Sequence, residues 1–255
     1  MLVSVLESGS KGNCTLIKGK EANLLIDAGG TLKYIEEKLN ENELSIDKIN
    51  YILISHSHSD HTNALQSIIK KAHPTIIVSE LMYKDLGFLK RYENVMYMQD
   101  SFNLDDLQIE TIKTSHDTTD SRGFIITEGN SSIVQITDTG YLNQKYFNKL
   151  KNKNLYIMES NHNIEMLMHG RYPKWLKARV ASDVGHLSNE SSAYYLSKLI
   201  GENTKKVILA HLSEENNTPE IALSTLKKEL EDNNIDFNSI EAAKQNERTE
   251  LIEVW

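Results

Sequence analysis

The chain opens with short apolar segments separated by residues that favour turns. They predict strands at 2–8, 14–19 and 23–29. The sequence Gly-Lys-Glu-Ala-Asn at 19–23 joins the last two, as in a β-hairpin. A helical pattern follows at 31–40, and the apolar run 51–55 indicates a buried strand. The first quarter of the chain therefore combines an early sheet with a helix that packs on it.

Strand and helix patterns alternate through the rest of the chain. Further helices are predicted at 63–72, 80–90, 141–152, 189–200 and 219–232. Further strands are predicted at 75–79, 107–114, 123–129, 131–138, 155–160, 206–210 and 250–255. Gly129-Asn130 is typical of a hairpin turn, and Thr218-Pro219 is typical of a helix N-cap followed by the first helical residue. This order favours the α/β (α+β) class, with two mixed β-sheets between helices in a four-layer αββα sandwich.

Composition narrows the type of protein. The 255 residues, with 39% apolar and 25% charged side chains, suit one globular domain spanning 1–255. The net charge of -8 argues against a basic nucleic-acid-binding protein as a whole, although bound divalent metals would make one site locally positive. Cys14 is the single cysteine, so no intramolecular disulfide forms. We see no secretory signal and no membrane span, and expect a cytoplasmic protein.

The strongest chemical signal directly follows the strand pattern at 51–55. It reads His-x-His-x-Asp-His and consists of His56, His58, Asp60 and His61. Two histidines separated by one residue on an extended backbone point in the same direction. Imidazole and carboxylate groups are suitable ligands for zinc, manganese or iron. The alternative is a polar loop whose histidines bond to carbonyl groups, but histidines clustered this closely rarely serve packing.

Four side chains do not complete two metal sites, because each metal needs about three or four protein ligands and an open position. Three further candidates lie where predicted strands end. His116 follows 107–114, Asp138 ends 131–138, and His211 follows 206–210. Each alone could be an ordinary loop residue. Together with the preceding motif they predict a dinuclear metal site at one edge of the sandwich.

In this order the seven residues resemble the ligands of the metallo-β-lactamase superfamily. The resemblance implies that His56, His58 and His116 hold one metal. It implies that Asp60, His61 and His211 hold the other, with Asp138 between the two. An Asp in the bridging place, where several true β-lactamases have Cys, points toward thioesterase and phosphodiesterase branches. The segment 24–30 also resembles an early strand and turn of the family, in which Asp27 is structural.

Further motifs resemble the WalJ (YycJ) branch of this superfamily, and the resemblance covers nearly the whole chain. They are Ser-Gly-Ser-Lys-Gly-Asn at 8–13, Ser-His-Asp at 115–117, Glu-Ser-Asn-His at 159–162, Gly-His-Leu-Ser-Asn at 185–189 and His-Leu-Ser at 211–213. Members are regarded as nuclease-like hydrolases related to the β-CASP nucleases. The chain is too short for the large inserted domain of the β-CASP enzymes, which places RNA processing of that kind in doubt.

The same motifs supply candidates around the metals. Asn13 and Glu159, with Asp27, are predicted to support the ligands, and Asp60 to orient the attacking hydroxide. His186 and His162 are candidate proton donors to a leaving oxygen, although either could instead make a structural hydrogen bond near helix 189–200. Four residues are candidates for substrate binding: Ser10, Gly12, Ser188 and Asn189. The loop around Gly12 could present backbone N–H groups to a phosphate, or form a plain hairpin turn.

The run at 174–179 mixes basic residues with the aromatic Trp175, and Arg171 and Tyr172 lie close by. Such a run could follow a nucleic-acid backbone. We favour the simpler interpretation, a solvated helix face with Trp175 packed inward.

The sequence therefore predicts a hydrolase that uses two divalent metal ions, Zn²⁺ or Mn²⁺, and a hydroxide shared between them. We expect a phosphodiesterase or nuclease resembling a DNA exonuclease, with nucleic acid as substrate and no obligate protein partner. One alternative is a thioesterase or lactonase. A compact pocket lined by a few specific hydrogen-bond donors would favour that alternative. The other is a non-catalytic metal-binding regulatory module with a single closed zinc site.

Overall fold

Two seven-stranded β-sheets face each other in the computed structural model, which describes residues 1–254. The strands of the first sheet are β1 (Leu2–Glu7), β2 (Cys14–Lys18), β3 (Asn23–Ile26), β4 (Tyr51–Leu53), β5 (Thr75–Val78), β6 (Val95–Tyr97) and β14 (Ile252–Glu253). Their spatial order is β14-β1-β2-β3-β4-β5-β6. Pairing is antiparallel from β14 to β3 and parallel from β3 to β6.

The second sheet repeats this arrangement. Its strands are β7 (Ser101–Leu104), β8 (Leu107–Lys113), β9 (Arg122–Glu128), β10 (Ser131–Ile136), β11 (Leu155–Glu159), β12 (Lys206–Ala210) and β13 (Ile240–Ala242). They lie in the order β13-β12-β11-β10-β9-β8-β7. Pairing is antiparallel from β7 to β10 and parallel from β10 to β13. Each sheet is therefore mixed, as predicted.

Helices connect the parallel strands and cover the outer faces. They are α1 (Leu32–Asn40), α2 (Ser59–Thr62), α3 (Leu65–Ala72), α4 (Glu80–Asp85), α5 (Phe147–Leu150), α6 (Ile164–His169), α7 (Lys174–Val180), α8 (Asn189–Leu199) and α9 (Pro219–Asp232). Short 3₁₀ turns occupy Ile46–Lys48, Gly87–Arg91 and Gln144–Tyr146. The α9 cap is the predicted one, because the Thr218 side chain accepts a hydrogen bond from Ile221 N–H ahead of Pro219.

Three apolar layers hold the four structural layers together. The central layer lies between the sheets and includes Ile26, Phe124 and Ile157. A second layer packs the first sheet against its helices, and a third packs the second sheet against α8 and α9. Alternate residues of a strand face opposite sides, so strands buried on both faces must be apolar almost throughout. The predicted four-layer αββα sandwich is confirmed.

The structure corrects several predicted boundaries. The helix expected at 141–152 is limited to the 3₁₀ turn and the single turn of α5. The strands β6, β7 and β13 and the helix α6 were not predicted, because short elements that are half exposed show no clear apolar period. In residues 1–254, no helix has both the length and the apolar character needed to cross a bilayer.

Candidate metal centre

The site lies where the parallel strands of both sheets end. Asp27 follows β3, and His56 comes three residues after β4. Asp138 follows β10, Glu159 ends β11, and His211 follows β12. The carboxyl ends of parallel strands meet at one edge of a sheet. The two facing sheets therefore direct their functional residues into one place.

One group of possible ligands consists of histidines only. His56, His58 and His116 each offer a nitrogen, and these atoms lie within 4.8 Å of one another. His58 Nδ1 and His116 Nε2 are 3.2 Å apart. His116 Nδ1 lies 3.1 Å from the carbonyl oxygen of Gly185, which leaves Nε2 for the site. Burial lowers the pKa of His56 well below its usual value, so this imidazole is neutral and able to bind a metal.

A second group combines histidines with carboxylates. Asp60, His61, Asp138 and His211 offer ligand atoms that also lie within 4.8 Å of one another. Asp60 Oδ2 is 3.5 Å from His61 Nε2 and 3.6 Å from His211 Nε2. Burial opposes the ionised form of Asp60, but His211 and His61 hold the pKa of this carboxyl far below its usual value. Its carboxylate is therefore charged at neutral pH.

Asp138 lies between the two groups. Its Oδ2 is 3.0 Å from His61 Nε2, and its Oδ1 is 3.8 Å from His116 Nε2. The side chain is buried, which penalises charge, yet His211, His61 and other histidines keep its pKa well below the usual value. One ionised carboxylate thus faces both groups.

The donor atoms fit divalent metal ions. Three buried atoms at the centre make no hydrogen bond within the described chain: His56 Nε2, His211 Nε2 and Asp138 Oδ2. An unpartnered buried polar atom costs about 1–3 kcal/mol. Three of them within one group of His and Asp side chains are hard to account for by packing. Coordination of divalent ions would satisfy all three at once.

Buried carboxylates orient the histidines from behind. Asp27 accepts hydrogen bonds from His61 Nδ1 at 2.7 Å, Ser55 N–H at 2.7 Å and Ser55 Oγ at 2.8 Å. Glu159 Oε1 accepts from His211 Nδ1 at 3.0 Å and from His186 Nδ1 at 2.7 Å. Burial opposes ionisation of Glu159, but His186 and His211 lower its pKa to about 2. Bonds of this kind fix the tautomer, so that Nε2 of His61 and of His211 faces the site.

Backbone contacts fix the loops that carry these groups. Asn13 N–H donates to the carbonyl oxygen of Asp60 at 2.8 Å, and the Asn13 side chain exchanges two hydrogen bonds with Gly9. Asn13 Nδ2 also lies 3.0 Å from His61 Nε2. Ser8 Oγ accepts from His211 N–H at 2.8 Å. The structure thus places Asn13, Asp27 and Glu159 in contact with predicted metal ligands.

The predicted ligands open onto a cavity of about 210 Å³. His58, Asp60, His116, Asp138 and His211 lie on one side of it. Other lining residues include Ser10, Asn161, His186 and Ser213, and four residues near or in α7: Tyr172, Leu176, Arg179 and Val180. Of the predicted substrate-binding residues, Ser10 is brought to the cavity.

Four of the residues predicted to act in proton transfer or substrate binding do not line the cavity. Ser188 caps α8 by accepting from Ser191 N–H, and Asn189 bonds to Ser160 and Asn217 in the interior. Gly12 lies against Glu7, since a Cβ at this position would approach the Glu7 carboxylate at 2.6 Å. His162 is buried, and burial lowers its pKa to about 4. These four residues are buried or bonded within the fold and do not face the cavity, whereas His186 lines it.

The prediction for Trp175 is wrong. This side chain is 68% exposed, because the inner face of α7 is formed by Leu176 and Val180. Sequence reasoning also missed Arg179 as a cavity residue. Arg179 forms a bidentate ion pair with Asp117, the residue after His116. Two signals pointed to this region: the Ser-His-Asp motif at 115–117 and the basic run at 174–179, which includes Arg179.

Comparison with known proteins identifies the family. The model of the metallo-beta-lactamase superfamily matches residues 8–211. The chain therefore belongs to the metallo-β-lactamase superfamily, whose fold is that of a metallo-hydrolase.

Two relatives align along most of their length. Exodeoxyribonuclease YycJ of Bacillus anthracis is 34% identical over 234 residues, which cover 90% of this chain and 89% of the relative. Exodeoxyribonuclease WalJ of Streptococcus pneumoniae is 33% identical and covers 89% and 87%. The predicted WalJ-like branch is confirmed. The metallo-β-lactamase-fold protein YhfI of Bacillus subtilis has a TM-score of 0.73 at 17% identity, covering 98% of this chain and 99% of YhfI. That likeness supports the fold alone.

Proposed function

We propose that the protein is a metal-dependent deoxyribonuclease that removes nucleotides from a DNA end. The observation that carries this proposal is the pair of adjacent ligand groups, with Asp138 in the second group and 3.8 Å from His116 of the first, beside an open cavity. Two relatives of about one-third identity bear the name exodeoxyribonuclease. Ligand geometry and kinship therefore support the same reaction, the hydrolysis of a phosphodiester.

The cavity is too small to enclose a large substrate. Its volume is about 210 Å³, below the roughly 300–1,000 Å³ of pockets that usually enclose small ligands. A single phosphodiester group fits such a space while the rest of the strand lies outside. A small thioester or lactone would fit the same volume, so the exodeoxyribonuclease relatives decide in favour of a nucleic acid. A closed zinc module is also less consistent with this site, because its ligands line an open cavity.

Each group of residues has its own role in the proposed reaction. His56, His58 and His116 would hold one ion, while Asp60, His61 and His211 would hold a second, with Asp138 between them. Two divalent ions held there, Zn²⁺ or Mn²⁺, would lower the pKa of water and offset the negative charge of the phosphate. Asp60 is ionised and accepts the hydrogen bond that orients the attacking water. His186, fixed by Glu159, presents its ring to the cavity and donates a proton to the leaving oxygen.

A cleavage assay tests the proposal directly. End-labelled single-stranded DNA, double-stranded DNA and RNA would be incubated with the protein in Mn²⁺, Zn²⁺ or chelator. Asp60→Ala is the test variant, and His73→Asn is the matched control. His73 lies between α3 and β5, at the opposite edge of the first sheet, and its left-handed backbone (φ 53°) suits Asn.

We expect metal-dependent loss of DNA that proceeds from an end, is abolished in Asp60→Ala and persists in His73→Asn. Products would shorten stepwise from the labelled or the unlabelled end. A protein that binds two ions per chain and cleaves neither DNA nor RNA would contradict the proposal, as would DNA cleavage that survives in Asp60→Ala.

A further inference from the structure

A group of large apolar side chains is exposed on α6 and α7. Trp175 is 68% exposed, Met168 59% and Ile164 47%. Burying such side chains is favourable, so a folded chain rarely leaves several of them in solvent within a dozen residues without a use. Tryptophan in particular offers a flat face for stacking. We call these three residues the apolar patch.

Trp175, one member of the apolar patch, lies close to residues that line the cavity of the metal centre. Tyr172 and Leu176 precede and follow Trp175, and both line the cavity. Trp175 and Arg179 are four residues apart on α7, hence on one helical face and about 6 Å apart along the axis. Arg179 lines the cavity and is fixed by its ion pair with Asp117, beside the predicted ligand His116. Trp175 therefore lies one helical turn from Arg179, which lines the cavity.

The charge around the apolar patch differs from that of the whole molecule. The chain carries a net charge of -8. Residues 164–186 carry four Lys or Arg side chains and two acidic ones. Arg171 and Lys174, on either side of Tyr172 and next to Trp175, are both exposed. Cations that alternate with an exposed aromatic ring match the phosphates and bases of a single strand. A purely apolar protein partner would leave these cations without counterparts.

We propose that Trp175 stacks on a base of single-stranded DNA while the phosphodiester to be cleaved lies in the cavity, with Arg171 and Lys174 contacting neighbouring phosphates. This inference rests on the proposed function and names the form in which the substrate is held. The reacting strand must be unpaired near Trp175, since a base within a duplex does not expose its face. Trp175 thus acts in binding and positioning, and it takes no part in proton transfer.

The inference is tested by a binding experiment that changes the protein at Trp175 and the DNA at single bases. Fluorescently labelled single-stranded DNA with hydrolysis-resistant phosphorothioate linkages would be titrated with metal-loaded wild type, Trp175→Ala and Trp175→Phe. A series of oligonucleotides would each carry one abasic site at a different distance from the end. Tyr194→Ala is the matched control, because Tyr194 is an aromatic residue on α8, 44% exposed and close to Lys198.

We expect Trp175→Ala to weaken binding about tenfold or more, and Trp175→Phe to retain most of the affinity. One abasic position should weaken wild-type binding by a similar factor and leave Trp175→Ala unchanged, because the base and the indole act as one pair. Tyr194→Ala should bind like wild type. A second readout is quenching of Trp175 fluorescence by the oligonucleotide in a Trp255→Phe background.

The inference is overturned if Trp175→Ala binds as wild type does, or if both respond equally to every abasic position. The same wild-type preparation would be assayed for DNA cleavage with metal. Cleavage by wild type combined with an unaffected Trp175→Ala rejects stacking and leaves the proposed function standing. Absence of cleavage rejects the proposed function whatever the binding result.

Discussion

Three residues of the metal centre have a left-handed backbone, which is uncommon for residues other than glycine. Asp27, Asp138 and His211 have φ of 63°, 54° and 55°. Each follows a strand directly or by one residue, at the edge of the sheet where the centre lies. Such a conformation costs about 1–3 kcal/mol and persists where the surroundings require it. The sequence identified all three residues by type and position, but it gave no signal for this backbone conformation.

His186 is the residue whose chemistry can be separated from metal binding. Its Nδ1 is held by Glu159, and its ring faces the cavity. We expect His186→Gln to lower kcat for DNA cleavage by about 10²- to 10⁴-fold, the usual contribution of a general acid, with little change in KM. The measurement is steady-state cleavage together with metal content per chain.

Metal content should remain at the wild-type value in His186→Gln, and His73→Asn again serves as control. His186 also lies within a third group of possible ligand atoms, with Asp138, Glu159 and His211. Loss of one ion per chain in His186→Gln would therefore identify it as a ligand and contradict its assignment as the proton donor.

Glu7 gives a prediction about pH. It ends β1, is buried, and its Oε2 makes no hydrogen bond in the described chain. Burial raises the pKa of Glu7 from 4.5 to about 7. The folded state favours the protonated form of Glu7. Its contribution to the free energy of unfolding is therefore fully present below about pH 4.5 and is lost as pH rises through about 7. The loss is on the order of 2–3 kcal/mol.

Glu7→Gln should therefore match wild type at pH 5 and be more stable at pH 8.5, as measured by urea unfolding at both values. Glu128→Gln is the control, because Glu128 is a buried carboxylate that pairs with the N-terminal ammonium at 3.0 Å. That variant should be destabilised at pH 5, where the α-amino group is charged and the ion pair exists, whereas Glu7→Gln should not be. A Glu7→Gln protein that is no more stable than wild type at pH 8.5 would show that Glu7 is ionised without penalty.

At the scale of elements, the centre depends on loops that touch backbone to backbone. Gly29 N–H donates to Asn13 O, while Ala28 N–H donates to His61 O at 2.8 Å. A Cβ at Gly29 would lie 1.6 Å from the carbonyl oxygen of Asp60. The loops after β3 and β4 can therefore approach this closely only with glycine at 29.

Gly29→Ala should move the segment that carries Asp60 and His61, weaken metal binding at least tenfold and lower the melting temperature. Metal titration and thermal unfolding would measure both effects. Gly87→Ala is the matched control, because a Cβ at Gly87 meets nothing within 4 Å. Wild-type metal affinity in Gly29→Ala would mean that the two loops can separate without disturbing the centre.

Elements differed in how far the sequence could predict them. The hairpin at Gly129-Asn130 and the Thr218 cap have strong local signals, and both are present. The helix expected at 141–152 has a helical composition but is mostly turn. Trp175 shows a further limit, because a helical pattern gives the spacing of side chains and not which face meets the core. Tertiary packing decides such cases.

At the scale of the molecule, the two sheets share one plan. Each has antiparallel strands on one side and parallel strands on the other, and the parallel strands of both end at the metal centre. His61 and His211 are 150 residues apart in sequence, yet their ring centroids are 6.1 Å apart. No local pattern predicts such a contact. The motif at 56–61 and the resemblance to a family were needed to join the distant ligands into one site.

Joining distant segments through metal ligands should link metal binding to global stability. Ligands that bind only the folded state stabilise it by about 2.7 kcal/mol at 100 times the Kd. For a chain of this length, that corresponds to a rise in melting temperature of roughly 5–10 °C. We expect Zn²⁺ or Mn²⁺ to produce this rise in chelator-treated protein, as followed by differential scanning calorimetry. Asp138→Ala should lose most of it, because Asp138 faces both ligand groups, whereas His73→Asn should keep it. An equal rise in the melting temperature of Asp138→Ala would mean that the stabilising metal binds elsewhere. Metal binding at the candidate centre would then not contribute to the stability of the fold.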